Sequence, residues 1–274
     1  MKILLTGSTS GIGWETFKDL WSEGHELILP VRNMKKAEDK LRKFGALERA
    51  HIYLMDLADL SSVRKAAENI LLDHNHIDIL INNAGGIYSP KMKSKDGINM
   101  SFSVNHLGHF LLTTELIKGL DKLPSKVINL SSEAHHIATV NPYDLGQNKS
   151  SSNFASYATS KLYNILFTKY LCYKYDTKGL KSFSVHPGAV KTQFGRDSGS
   201  FSKKIIQFSM LFFISPKKGA QTTLFLVQQD SSKLKNGGYY KNKKLSKSSK
   251  KSIQFELAEA LWNFSDLEMK RITG

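Results

Sequence analysis

Thr6-Gly7-Ser8-Thr9-Ser10-Gly11-Ile12-Gly13 stands between a short apolar run, residues 2–6, and an amphipathic stretch over residues 12–23 that Gly24 closes. Read as strand, turn and helix, it is the first β-turn-α of the chain. A Gly-x-x-x-Gly-x-Gly turn there lets the backbone approach a pyrophosphate, and its third glycine lets helix and strand pack closely. The amides and dipole of the helix N-terminus favour the phosphate charge. Gly7, Ser8, Ser10, Gly11, Ile12 and Gly13 are therefore the expected phosphate-binding residues. The alternative is a glycine-rich turn without a ligand.

Outward from that turn, short apolar runs alternate with longer amphipathic segments, the pattern of repeated βα units and a mostly parallel sheet. Residues 26–31, 51–55, 78–82, 126–130 and 181–185 read as further strands, with a short last one at Tyr239–Tyr240. Helices are expected over residues 34–44, 60–73 (capped through Asp59 or Ser61), 99–120, 217–229 and 255–264, and over the stretch that carries Tyr157 and runs to Tyr175. No repeat or linker divides the sequence. Residues 1–274 are thus expected to form a single α/β domain on a doubly wound parallel sheet flanked by helices.

Composition narrows the function class. The 41% hydrophobic content suits a packed core. The lone cysteine, Cys172, excludes an internal disulfide framework and points to a reducing, cytoplasmic setting. Met-Lys-Ile-Leu-Leu enters a strand at once, which leaves no room for a signal peptide or anchor, and no apolar run is long enough to span a bilayer. The net charge of +15 comes largely from lysines, many of them in the late stretch 241–252. That stretch reads as a solvated loop; the alternatives are an anionic membrane surface or nucleic acid, and no nucleic-acid-binding motif accompanies it.

The end of the second strand selects the dinucleotide. An acid there would accept bonds from the ribose hydroxyls of NAD, whereas the chain has Pro30-Val31-Arg32-Asn33 followed by Lys35 and Lys36. A cation at Arg32 suits a 2′-phosphate, so the expected cofactor is NADP(H); the plainer reading is an exposed arginine. Asp56 and Leu57, past the third strand, are placed beside the adenine, with a helix-capping role as the alternative for Asp56.

Tyr-x-x-x-Lys occurs four times, at Tyr157/Lys161, Tyr170/Lys174, Tyr239/Lys243 and Tyr240/Lys244. In a helix, Tyr157, Lys161 and Asn164 share one face, and the ammonium is expected to draw the phenol pKa down from about 10. Spacing alone does not choose between the four.

Together, Thr6–Gly13, Asn82-Asn83-Ala84-Gly85, Tyr157-x-x-x-Lys161 and His186-Pro187-Gly188 resemble the short-chain dehydrogenase/reductase family in order and context. Val104-Asn-His-Leu-Gly-His-Phe-Leu-Leu112, Asn129-Leu-Ser-Ser-Glu-Ala-His-His136 and Gly219-Ala-Gln-Thr222 look closest to its retinol-dehydrogenase-like branch, over about residues 2–230. The resemblance implies a Rossmann-type domain with seven parallel strands and an alcohol–carbonyl oxidoreductase using a nicotinamide cofactor. It selects Tyr157, after a strand ending in Ser131-Ser132, as general acid and base. It gives Lys161 a second task at the nicotinamide ribose, assigns Ser132 rather than Ser131 to the carbonyl oxygen, and gives Asn105 a water and proton path to Lys161. Helix capping or kinking is the bland role for Asn105. Asn83, Ala84 and Gly85 are expected near the adenosine, and Pro187, Gly188, Val190 and Thr192 near the nicotinamide. His106, His109, His135 and His136 lack a coupled zinc spacing, so no metal is expected. Family habit suggests a homodimer through the two long helices.

Phe201, Ile205, Phe208, Leu211 and Phe212 form an apolar set after the nicotinamide flank, read as a substrate lid, a shallow peripheral membrane contact or plain core. A hydrophobic aldehyde or ketone is the expected substrate. The competing functions are a non-catalytic NADP-binding sensor on the same fold and a protochlorophyllide-reductase-like enzyme.

Overall fold

In the computed structural model, residues 1–120, 124–188 and 214–273 are described. Strands β1 (Lys2–Leu5), β2 (Glu26–Val31), β3 (Ala50–Leu54), β4 (Ile79–Asn82), β5 (Lys126–Leu130), β6 (Lys181–His186), β7 (Tyr239–Lys241) and β8 (Lys244–Ser246) form one sheet in the order β3-β2-β1-β4-β5-β6-β7-β8. The chain builds outward from β1 to β3, then returns to place β4 on the other side of β1. This reversal opens a crevice at the carboxyl ends of the strands, where ligands of such sheets bind.

Helices α1 (Gly11–Ser22), α2 (Met34–Phe44), α3 (Leu60–Asp73), α4 (Met100–Phe102), α5 (Gly108–Gly119), α6 (Asn153–Tyr175), α7 (Pro216–Gln228) and α8 (Phe255–Thr273) flank it. Successive strand residues point to opposite faces, so each strand feeds two cores. Leu4, Leu80 and Val127 pack on one side with α3, α5, α6 and α8. Ile3, Leu5, Ile79, Ile81 and Ile128 pack on the other with α1 and α7. The β5 sequence therefore reads as an unbroken buried run. Its first residue, Lys126, is also buried, and its ammonium donates to the carbonyls of Leu226 and Val227 (both 2.9 Å) and of Gln229, closing the C-terminus of α7.

The structure departs from the sequence reading in two places. The sheet has eight strands rather than seven, and the eighth is antiparallel. Asn242 and Lys243, at φ 50° and 61°, make the left-handed two-residue turn that matches strand twist, and part of the lysine-rich stretch becomes β8. Lysines suit an edge strand because they discourage further pairing, which is why the sequence there resembles a loop. Second, α8 runs on to Thr273, nine residues beyond the expected end at Phe264. Ion pairs Lys270–Asp266 (2.7 Å) and Arg271–Glu268 (2.8 Å) support its polar last turns while Met269 faces the core.

The outer face of the long helices is covered. Helix α8 lies across it: Trp262 meets Phe110 (ring centroids 4.7 Å apart), Phe167 (6.0 Å) and Tyr170 (4.9 Å), and His106 Nε2 bonds Ser265 Oγ at 3.0 Å. No helix among the described residues is long and apolar enough to cross a membrane.

Candidate active site

The β1–α1 turn is tight because its glycines permit it. Gly7 and Gly11 hold φ of 69° and 54°, and a Cβ on Gly13 would stand 2.1 Å from the Gly7 carbonyl oxygen. Two neighbours lock it. Asn83 Nδ2 donates to the Thr6 carbonyl (2.8 Å), and the amides of Asn83 and Ala84 both donate to Thr6 Oγ1 (3.0 Å each). With its oxygen filled, the Thr6 hydroxyl gives its proton to His109 Nε2 at 2.9 Å, which puts the ring proton on Nδ1, facing the Asn105 carbonyl at 3.5 Å.

The turn fits a phosphate group. Asn33, Asp59, Ser152 and Ser215 cap the amides of their helices, whereas Ser10 at the start of α1 makes no such bond. The buried Ser8 Oγ has no partner either. Uncapped amides and a buried hydroxyl at a helix N-terminus are what an anion would satisfy. Asn83 and Ala84 act on this turn, and Gly85 faces the catalytic side: a Cβ there would meet Asn105 Oδ1 at 2.8 Å and Lys161 Nζ at 3.4 Å.

Arg32 is exposed just past β2, next to Asn33, whose side chain caps α2 by accepting from the Lys36 amide at 2.9 Å. Lys40 bonds back to the Thr9 carbonyl (2.7 Å) and covers the Trp14 ring (3.9 Å), joining the cationic side of α2 to the glycine turn. Asp59, not Asp56 or Ser61, caps α3. Asp56 instead accepts from the Ala58 amide at 3.0 Å, and the Leu57 carbonyl accepts from Ser103 Oγ at 3.1 Å.

The carboxyl end of β5 carries the candidate reactive groups. Ser131 Oγ donates to the Lys161 carbonyl at 2.7 Å, a bond that fixes α6 against the strand. Ser132, pointing the other way, accepts from the Ala134 amide at 3.2 Å, and its hydroxyl acts on the Tyr157 phenol against the effect of burial. Lys161 Nζ donates to the Leu130 carbonyl at 3.1 Å, an oxygen that also accepts from Asn164 Nδ2 (2.8 Å), and lies 5.6 Å from the Tyr157 ring centre. Asn105 sits in a five-residue π-helical turn, Ser103–Leu107, between α4 and α5. The wider turn aims its amide at both neighbours: Nδ2 donates to the Gly86 carbonyl and to Ser160 Oγ (2.9 Å each), and Oδ1 accepts from the Gly86 amide at 2.8 Å.

The electrostatics correct one expectation. Burial pushes the Tyr157 phenol up to about 12, and the Ser132 hydroxyl opposes this only in part. The same burial brings Lys161 down to about 8. Desolvation of the phenolate dominates, so the tyrosine stays protonated at neutral pH rather than being tuned toward ionisation.

Pro187 and Gly188 follow β6, with Gly188 at φ 96° against Ile214. Val190, Thr192 and the apolar set from Phe201 to Phe212 lie outside the described residues. The other Tyr-x-x-x-Lys pairs have separate work. Tyr170 and Lys174 both pack on Trp262, and the Tyr239 and Tyr240 hydroxyls bond Glu133 (2.6 Å) and the Lys235 amide (2.8 Å) from strand positions. Glu133, His135 and His136 bring possible ligand atoms within 4.8 Å of one another. However, His135 has both ring nitrogens engaged, with the Ser132 carbonyl (2.6 Å) and the Ser249 amide (3.0 Å), and Glu133 is tied to Tyr239 and Lys241. The sequence reading missed Thr6 and His109 as the link between glycine turn and catalytic helix. Only their place in the quoted motifs hinted at it.

The two core histidines predict an acid response. Burial lowers His106 and His109 from 6.5 to about 3, so both rings are neutral in the folded chain. Between those values the unfolded chain binds more protons. Their contribution is fully present above about pH 6.5 and is lost as pH falls, at up to about 1.4 kcal/mol per pH unit per ring. Urea unfolding at pH 7 and pH 5 should show this slope flattened in the H106Q/H109Q double variant; an equal slope in both proteins refutes the assignment.

Comparison with known proteins agrees with this geometry. A family model described as short chain dehydrogenase matches residues 1–202. Retinol dehydrogenase 11 of Mus musculus is 36% identical over 266 residues, covering 96% of this chain and 84% of that protein. Retinol dehydrogenase 12 of Homo sapiens is 35% identical over 267 residues, with the same two coverages. The crystal structure of an uncharacterized protein from Mycobacterium Paratuberculosis superposes with a TM-score of 0.80 at 29% identity, covering 98% of this chain and 93% of that one. A short chain dehydrogenase from Burkholderia cenocepacia J2315, solved in complex with NADP, shares the fold at a TM-score of 0.67 and 21% identity, over 87% of this chain and 94% of that one.

Proposed function

This chain belongs to the short-chain dehydrogenase family, and we propose that it interconverts an alcohol and an aldehyde or ketone with NADP(H), acting as one catalytic domain in a cytoplasmic setting. The observation that carries the reading is the meeting of Ser132, Tyr157 and Lys161 at the carboxyl end of β5, beside the uncapped glycine turn. When bound, the nicotinamide supplies or accepts the hydride. The protein's part is the proton. As charge develops on the carbonyl oxygen, the Tyr157 hydroxyl donates to it and Ser132 offers a hydrogen bond. In the alcohol direction Tyr157 takes the proton back. Lys161, poised at about 8, exchanges charge near neutrality beside the phenol, and Asn105 holds the Gly86 backbone against α6.

Arg32 supports NADP over NAD: it is the first exposed residue after β2, and Lys35 and Lys36 are exposed behind it. Arg32→Asp is expected to lower kcat/KM for NADPH by roughly tenfold to a hundredfold and to raise it for NADH, through loss of a charge-assisted phosphate contact. Wild-type preference for NADH overturns the assignment. The naming of the relatives as retinol dehydrogenases favours a hydrophobic substrate, with retinal among the first carbonyls to offer. Oxidation of NADPH against a panel of hydrophobic aldehydes and ketones tests the reading, and a protein that binds NADPH yet turns over none of them refutes it.

A further inference from the structure

Most side chains of the lysine-rich stretch are exposed, yet the stretch is also anchored. Together with β7 it lies against the turn that follows Ser132. Lys241 Nζ and the Tyr239 hydroxyl each donate to a Glu133 carboxylate oxygen at 2.6 Å, and Lys251 Nζ donates to the Ala138 carbonyl at 2.7 Å. Glu133 is the residue directly after Ser132, and Ala138 ends the turn Glu133–Ile137.

One contact reaches Ser132 itself. The Ser249 amide donates to His135 Nε2 at 3.0 Å, so the ring carries its proton on Nδ1. Nδ1 then donates to the Ser132 carbonyl oxygen at 2.6 Å, and the His135 amide adds a second bond to the same oxygen at 3.1 Å. The ring is 0% exposed, set between His136 and Tyr239 with centroids 4.0 Å and 4.9 Å away. A carbonyl held twice by a residue that cannot turn fixes the backbone at Ser132, and with it the direction in which the serine hydroxyl meets Tyr157.

We propose that His135 is a positioning residue for Ser132, anchored through the Ser249 amide, so that the lysine-rich segment supports the catalytic turn. The inference rests on the oxidoreductase reading above and adds to it a part of the chain beyond the matched residues 1–202.

Three variants test it. S249P deletes the anchoring donor at a backbone position whose φ of −62° proline adopts. H135F keeps an aromatic ring but neither nitrogen, and H135N keeps a donor close to the place of Nδ1. In S249P and H135F, kcat for carbonyl reduction should fall about tenfold while KM for NADPH stays within about twofold. H135N should recover kcat to within about threefold of wild type. Amide exchange over residues 131–138 should quicken about tenfold in S249P and H135F and stay unchanged over β4, a readout that needs no turnover. Unaltered kcat or unaltered exchange in S249P and H135F, with an active wild type, overturns the positioning role alone. A loss in H135N as large as in H135F also overturns it, because the donor to the Ser132 carbonyl would then be irrelevant. A wild type inert toward every carbonyl overturns the oxidoreductase reading, and the positioning role falls with it.

Discussion

Tyr157→Phe is expected to lower carbonyl turnover by about three orders of magnitude, in the upper part of the range for removal of a positioned proton donor. The change takes away one hydroxyl and leaves the ring, so the fold should lose no more than about 1 kcal/mol. NADPH affinity should stay near wild type, which separates lost chemistry from lost binding. The pH dependence gives a second check. A phenol pushed up to about 12 stays protonated through neutrality. Reduction, which needs the proton, should therefore show no loss of kcat/KM from tyrosine ionisation between about pH 6 and pH 9. Oxidation needs the deprotonated form, so its kcat/KM should climb as pH rises over the same span. A variant that keeps more than about a tenth of wild-type turnover would remove Tyr157 from the reaction.

The second large effect concerns a hydrogen atom. Gly13→Ala would set a methyl 2.1 Å from the Gly7 carbonyl oxygen and 2.5 Å from Asn83 Nδ2. The oxygen is backbone in a turn pinned by Asn83, Thr6 and Lys40, so it cannot swing aside as a long side chain would. Opening the turn should cost about 2–3 kcal/mol of stability. It should also weaken NADPH binding by at least about tenfold, because the amides at the start of α1 no longer converge. Gly146→Ala is the control: its nearest atoms are side-chain atoms of Asn148 (3.2 Å) and Phe264 (3.4 Å), and only a small change is expected. Denaturation midpoints and NADPH titration of the two variants decide the matter. Equal behaviour would mean that the glycine turn does not need its closeness.

What the sequence disclosed was local. The glycine turn and the alternation of strand and helix follow from residues a few positions apart, whereas the choice of the Tyr157 pair over three look-alikes rests on the family resemblance. What it withheld depends on partners far away. Nothing near residue 249 says that its amide meets a ring at residue 135, and lysines at an edge strand look like lysines in solvent. The direction of the Tyr157 shift also needed the fold, because it is set by how deeply the phenol is buried. The helical span around Asn105 was legible, but its π turn was not, since a single extra residue per turn leaves the apolar pattern almost intact.

The covering of α5 and α6 by α8 has a consequence for how the chain is made. Phe110 and Phe167 are synthesised long before Trp262, the ring that shields them. At ordinary elongation rates of about 5–20 residues per second, the stretch from Phe167 to Trp262 takes several seconds to more than ten. For that time the aromatic groove is bare, and the nascent chain presents to its surroundings a surface that the finished molecule never shows. Chains halted before residue 255 should therefore bind a hydrophobic dye or a holdase chaperone, and chains released after residue 273 should not.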